Sequence, residues 1–366
     1  MAQNRLITIA QKEFFDHLRS RKFLLIFGIL LIVAVVGLIG GVTDYNKSVK
    51  NYNEHQSTVD SPLSSYMKEK PSILSVFSSV ATYLVFVGGI LGIAMGFDIV
   101  SKEKESKSLK ILLSHPVYRD EIINGKALGG IAALGCSLAV VLVIAFATLL
   151  IYGIVPDGGE IVLIGVFIAV SFFLMFSYFA IALFMSTVMD ESGSALIYTI
   201  IVFILLSVLV PTLANDTVME YVIGSQPELP QELLDQMQRS VNASDGSAAV
   251  SVMFSDKGNN GAWDEFNGKM QAYWEKRQRV HDTLALFSPT MNYEMITSAI
   301  TAGTAFDSVV TGSTGGVATS FSMNSAEGAD TGEILGGIVA NLVALLLFPA
   351  VFFGLAYLRF LRLDVR

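Results

Sequence analysis

The stretch Asp98-Ile-Val-Ser-Lys-Glu-Lys-Glu-Ser-Lys-Ser-Leu-Lys-Ile-Leu-Leu-Ser-His-Pro-Val-Tyr-Arg-Asp-Glu-Ile-Ile-Asn-Gly-Lys126 decides the fold. Apolar runs without a single charge flank it, Ile73–Phe97 before and Ala127–Val155 after. Between them lie Lys102, Lys104, Lys107, Lys110, Arg119 and Lys126, mixed with Asp98, Glu103, Glu105, Asp120 and Glu121. Such dense charge requires water, and a short Lys/Arg-rich loop between spans is expected on the cytoplasmic side. Residues up to Leu113 favour helix, and Glu103 with Lys107 forms a well-oriented i,i+4 pair. Pro116 is expected to stop that helix by pushing His115 out of the helical region. Asp120 is then expected to cap a new helix that runs through Gly125 into the next span. Leu109, Leu112 and Leu113 stand out as apolar groups in a charged loop, available to a partner.

Composition agrees with a membrane location. The chain of 366 residues is 52% hydrophobic and 15% charged, against about 25% charged in soluble domains. Its mean hydropathy is +0.58. Six runs are long enough to cross about 30 Å of hydrocarbon at about 1.5 Å per residue. They are Phe23–Thr43, Ile73–Phe97, Ala127–Val155, Ile161–Met189, Ala195–Leu213 and Ile334–Leu358. The expected fold is therefore all-α, an integral membrane protein of six transmembrane helices.

Ahead of the first run, residues 1–22 form an amphipathic segment. Leu6, Ala10, Phe14 and Leu18 recur every four residues, and Arg5, Lys12, Arg19, Arg21 and Lys22 supply a basic face. Such a helix is expected to lie in the membrane interface, and its long charged leader does not fit a signal peptide. Basic residues set the sidedness. Fourteen lie in the leader, the 98–126 segment and the tail with Arg359, Arg362 and Arg366, against Lys47, Lys50, Lys68 and Lys70 in the first outer loop. Both termini are expected in the cytoplasm.

Residues 44–72 are expected to be a polar outer loop, and 214–333 a large extracytoplasmic domain between spans five and six. Within it Pro227–Val241 and Trp263–Phe287 read as helices. Thr301–Gly332, rich in Gly, Ser, Thr and Ala, reads as a loop. In the second span Gly88, Gly92 and Gly96 recur every four residues, a ridge that lets another helix approach closely or lines a transport path.

The 98–126 segment resembles the cytoplasmic coupling region of ABC-2 type permeases, the membrane subunits of one class of ABC exporter. The matches are Glu105, Ser108-Leu109, Leu112-Leu113-Ser114-His115-Pro116, Arg119 and Gly125-Lys126. Lys107 and Ser108 stand where the family usually has Gly and Thr. Residues 1–22 fit the family's elbow helix, and Ser288-Pro289 is similar to the Ser-Pro element before its last span. The resemblance implies a permease in the cell membrane that pairs with a second permease copy and a separate ABC ATPase subunit. Glu105, Leu109, Leu112, Leu113, Pro116 and Arg119 would dock into that ATPase and convert its closure into tilting of the second and third spans. ATP and Mg would enter through the ATPase, with no cofactor in this chain.

Several other function classes lack their signature. The spans as drawn hold no Asp, Glu, Lys, Arg or His, where ion-coupled carriers place ionisable groups. Gly125-Lys126 is followed by Ala127, and Gly268-Lys269 by Met270, so neither is a phosphate-binding loop ending in Gly-Lys-Ser/Thr. His17, His55, His115 and His281 are scattered, and Cys136 sits alone in an apolar run, so neither a metal site nor an enzyme stands out. No nucleic-acid motif is present. The alternative from another class is a non-transporting scaffold or receptor whose outer domain binds a ligand.

Overall fold

A computed structural model describes residues 2–58, 71–108, 118–231, 260–302, 310–314, 317–321 and 331–362. Among them are six helical segments long and apolar enough to cross a membrane: Arg21–Glu54, Ile73–Glu105, Arg119–Ile151, Gly158–Val188, Ser192–Leu213 and Leu335–Leu361. The fold is thus the expected all-α membrane bundle.

Helix α1 (Ala2–Arg19) ends at Ser20, whose hydroxyl accepts the Phe23 N–H at 3.1 Å and so caps α2 (Arg21–Thr58). Helix α2 does not stop at Thr43, where a loop was expected to begin. It continues to Thr58 through polar residues, with Lys50 and Glu54 3.7 Å apart on successive turns. Where water solvates the side chains, nothing in Asp44–Thr58 breaks a helix.

The second span is assembled from pieces. A 3₁₀ turn (Ile73–Phe77), capped by Ser72, leads into α3 (Ser78–Tyr83), a π-helical turn (Leu84–Gly88) and α4 (Gly89–Gly96). After Phe97–Val100 comes the short α5 (Ser101–Glu105). Helix α6 (Arg119–Ile151) starts one residue before Asp120. Its N-cap is Tyr118, in extended conformation and without a side-chain cap, so Asp120 does not cap it as expected. Asp120 and Glu121 instead lie in the first turn, where carboxylates suit the helix dipole.

A capping box formed by Asp157 and Glu160 opens α7 (Gly158–Val188). The fifth span is α8 (Ser192–Ile204), a second π-helical turn (Leu205–Leu209) and α9 (Val210–Leu213). Then come α10 (Asp216–Ile223), α11 (Asn260–Ala285), α12 (Pro289–Ala302) and, as the last span, α13 (Thr331–Leu361). Within Thr301–Gly332, expected to be a loop, Val310–Thr314 pairs antiparallel with Val317–Phe321. Val310, Thr311, Thr314, Val317, Thr319 and Phe321, β-branched or aromatic residues, favour that extended form. Of the expected helix Pro227–Val241, residues 232–241 lie outside the described residues.

The chain divides into two compact units. One is Leu209–Phe287, in which α10 and α11 pack together, with Met219 and Phe266 buried. The other is Met1–Val208 with Ser288–Arg366. In this larger unit α7 is central: α4, α12 and α13 all pack against it, and Leu174, Met175, Tyr178 and Phe179 are fully buried. Leu25, Ile32 and Val36 of α2 and Ile197, Ile201 and Ile204 of α8 are exposed. An apolar surface of that kind belongs in lipid.

Candidate functional site

The glycines of the second span explain how it reaches α7. Gly92 lies so close to the Met175 carbonyl that no methyl group would fit between them, and a Cβ at Gly96 would sit 2.6 Å from the Phe179 carbonyl. Gly88 faces side chains alone, Met175 at 3.2 Å and Leu84 at 3.4 Å. The ridge lies against the backbone of the fourth span.

Just past Gly96 the helix breaks. The backbone N–H groups of Val100 and Ser101 turn away from the preceding turn and donate to the Ser186 hydroxyl of α7, at 3.0 and 2.9 Å. Ser101 itself is fully buried and donates to the Phe97 carbonyl at 2.8 Å. A hydroxyl of one span thus caps a short helix belonging to another, which satisfies amides that would otherwise be orphaned.

Glu103, Lys104 and Glu105 diverge to three different helices. Glu103 reaches Lys126 of α6 at 2.9 Å. Lys104 donates to the carbonyls of Thr187 and Met189 at 2.7 and 3.0 Å, where α7 ends, with Asp190 3.6 Å away. Glu105 accepts from the backbone N–H and the hydroxyl of Ser192, at 3.2 and 2.7 Å, where α8 begins. The signs suit the partners: a cation meets a helix C-terminus and a carboxylate meets an N-terminus.

Lys126 is also held by Glu13 of α1, at 2.6 Å, and its side chain is only 7% exposed. Helix α1 reaches it by lying along the start of α6, with Gly125 against Ile9 and Gly129 against Ala10, Glu13 and Phe14. His17 packs into the same cluster. Burial, the largest influence, holds its imidazole below the ordinary 6.5 against the opposing pull of Glu13, Asp98 and Asp16, while Lys126 adds to the lowering. Asp98 pairs with Lys22 at 3.2 Å.

Of the residues expected to dock into the ATPase, Glu105 and Arg119 are described. Arg119 donates to the Leu361 carbonyl at the end of α13, at 3.2 Å. Glu105 is occupied by Ser192, within the same chain. Leu109, Leu112, Leu113 and Pro116 lie outside the described residues. From the sequence, Glu13, His17 and Ser186 carry no role, and Lys126 has only a place in the Gly125-Lys126 match. A signal for two of them existed, since Glu13 and His17 share the apolar Leu6–Ala10 side of an amphipathic helix, where charge is out of place.

A second polar cluster lies inside the bundle. Ser288 caps α12 by accepting the Met291 N–H at 3.1 Å, with Pro289 at the first helical position, and donates to the Leu206 carbonyl at 2.7 Å. Thr290 and Ser207 each lie 2.6 Å from the Tyr178 hydroxyl, and Tyr293 lies 3.2 Å from Ser171. The Ser-Pro element thus starts a helix within the apolar interior, where its hydroxyls satisfy one another and the π-helical turn of the fifth span.

Six spans, a packed amphipathic N-terminal helix and a charged network at one end define a multi-pass membrane protein with an organised polar terminus. The chain belongs to the ABC-2 family of transporter proteins, whose family model matches residues 7–365. It is 27% identical over 193 residues to the probable ABC transporter permease protein NosY of Pseudomonas aeruginosa, covering 51% of this chain and 62% of that protein. A protein of the same name from Stutzerimonas stutzeri is 26% identical over 199 residues, covering 52% of this chain and 63% of its own. The matched region thus spans about three-fifths of the length of these curated relatives.

Proposed function

We propose that this chain is the permease subunit of an ATP-driven transporter that moves its substrate outward across the cell membrane. An ABC ATPase subunit binds the 98–126 segment on the cytoplasmic side, and a second permease copy completes the pathway. Family membership over nearly the whole chain carries this conclusion. It is supported by the way Glu103, Lys104 and Glu105 tie the base of that segment to three helices.

The physical basis for docking is Leu109, Leu112 and Leu113, worth about 1.5–3 kcal/mol each when fully buried in a partner's groove. Changing Leu112 and Leu113 together to Asp removes that gain and adds carboxylates that a dry interface rejects. Association with the co-purifying ATPase, or its stimulation, is expected to fall at least about tenfold, roughly 1.4 kcal/mol. Unchanged association and turnover would remove the ATPase from the proposal. Sidedness is tested with single cysteines at Ser106 and Ser247 in a Cys136→Ala background. An impermeant reagent added to intact cells is expected to label position 247 and spare position 106.

A further inference from the structure

The chain enters the charged end through the second span, to which α5 keeps two bonds, Ser101 Oγ to the Phe97 carbonyl at 2.8 Å and the Lys102 N–H to the Asp98 carbonyl at 3.3 Å, while its other ties run elsewhere. Ser186 caps its first amides, Lys104 closes the end of α7, and Glu105 closes the start of α8. Toward α4, by contrast, the amides of Val100 and Ser101 have left the helical ladder, and Phe97–Val100 forms a turn. A short helix is thus fastened at both ends of the turn Met189–Glu191 and joined to its own span through the turn Phe97–Val100.

We propose that Lys104, with Ser186 and the Glu105–Ser192 bond, is a positioning residue that locks α5 to the turn between the fourth and fifth spans. The two move as one body about Phe97–Val100. The stroke received by the 98–126 segment is delivered through that lock to the fourth and fifth spans. This rests on the permease function proposed above. Opposite charges at two helix ends suit the task, because both contacts weaken if either helix terminus slides away. Lys104 has little freedom to serve an outside partner: its side chain is 10% exposed and its ammonium already meets two carbonyls and Asp190.

The test is a pair of spin-label distances in the permease–ATPase complex, in a Cys136→Ala background. Labels at Lys102 and Glu191, both exposed, report on the lock. Labels at Ile90, which is 45% exposed, and Lys102 report across the break. ATP is expected to shift the 90–102 distance and leave a narrow 102–191 distance unchanged. In Lys104→Met with Ser192→Ala, the 102–191 distribution is expected to broaden and to respond to ATP, while Lys104→Arg keeps the parental behaviour. The lock is overturned if ATP moves the 102–191 pair in the parent, or if the double variant keeps it narrow and fixed. Failure of the parent to bind any ATPase overturns the permease function instead, and the inference with it.

Discussion

The Lys126 ammonium of the third span lies 2.6 Å from the Glu13 carboxylate of the N-terminal helix, 113 residues away in sequence. Glu103 meets the same ammonium from the second span at 2.9 Å. One buried cation therefore joins three segments. Removing one partner of such a group strands the others, at a cost of about 3–5 kcal/mol. Lys126→Met is expected to leave Glu13 and Glu103 facing each other and to lower the thermal midpoint of the purified chain sharply. Adding Glu13→Gln to Lys126→Met is expected to recover part of the loss. A single variant as stable as the parent would show that the triad contributes nothing.

His17 supplies a pH dependence. Its folded-state value lies below the ordinary 6.5 because burial disfavours the imidazolium. As pH falls through 6.5 the unfolded chain binds the proton first, so stability drops between 6.5 and the lower folded value and is fully present above that window. Glu13, Asp98, Asp16 and Lys126 are the charged groups that act on it. The thermal midpoint in detergent, measured from about pH 7.5 to about pH 5 across the histidine range, is expected to fall less steeply in His17→Gln. Parallel curves for parent and variant would rule His17 out as the cause.

The glycine ridge predicts a graded series. A methyl at Gly92 collides with a carbonyl and one at Gly96 lies 2.6 Å from another, whereas Gly88 meets a flexible methionine and Gly165 meets nothing within 4 Å. Overpacking against backbone costs about 1–3 kcal/mol. Gly92→Ala and Gly96→Ala are expected to lower stability and transport, Gly88→Ala to do so weakly, and Gly165→Ala to have no effect. Equal effects at positions 92 and 165 would remove the close contact from the account.

Lys107 occupies the left-handed region, with φ of 57°. That conformation costs a non-glycine residue roughly 1–2 kcal/mol. It is also the position where the resembling coupling regions usually carry Gly. Lys107→Gly is expected to leave stability unchanged or to raise it, and Lys107→Val to lower it by about 1–2 kcal/mol, since a branched side chain tolerates positive φ least. Thermal unfolding of the two variants side by side decides the matter; a valine variant as stable as the glycine variant contradicts it.

In the hydroxyl cluster, Tyr178→Phe is expected to cost about 1 kcal/mol. Ser207 and Thr290 remain 3.0 Å apart and can satisfy each other. Thr290→Val with Ser207→Ala leaves the buried Tyr178 hydroxyl without either partner and is expected to cost more, read as the difference in thermal midpoint. If the double variant is the milder of the two, the hydroxyls do not hold the start of α12.

Six spans were legible in the sequence because crossing a bilayer depends on a segment's own length and transfer energy. The amphipathic α1 and the ridge of Gly88, Gly92 and Gly96 were legible for the same reason, as periodic patterns along one helix. What the tertiary structure alone decided is which partners those patterns meet. The ridge faces the fourth span, Glu105 closes the fifth, and the Ser-Pro element begins inside the bundle. The break at Phe97–Val100 was likewise invisible, because Ile99, Val100 and Ser101 do not break helices by themselves. It exists because Ser186, 86 residues from Val100, accepts the amides that the helix gives up. Hydropathy adds up residue by residue, whereas a hydrogen bond or ion pair depends on a distance of a few ångströms between helices, which only their packing sets.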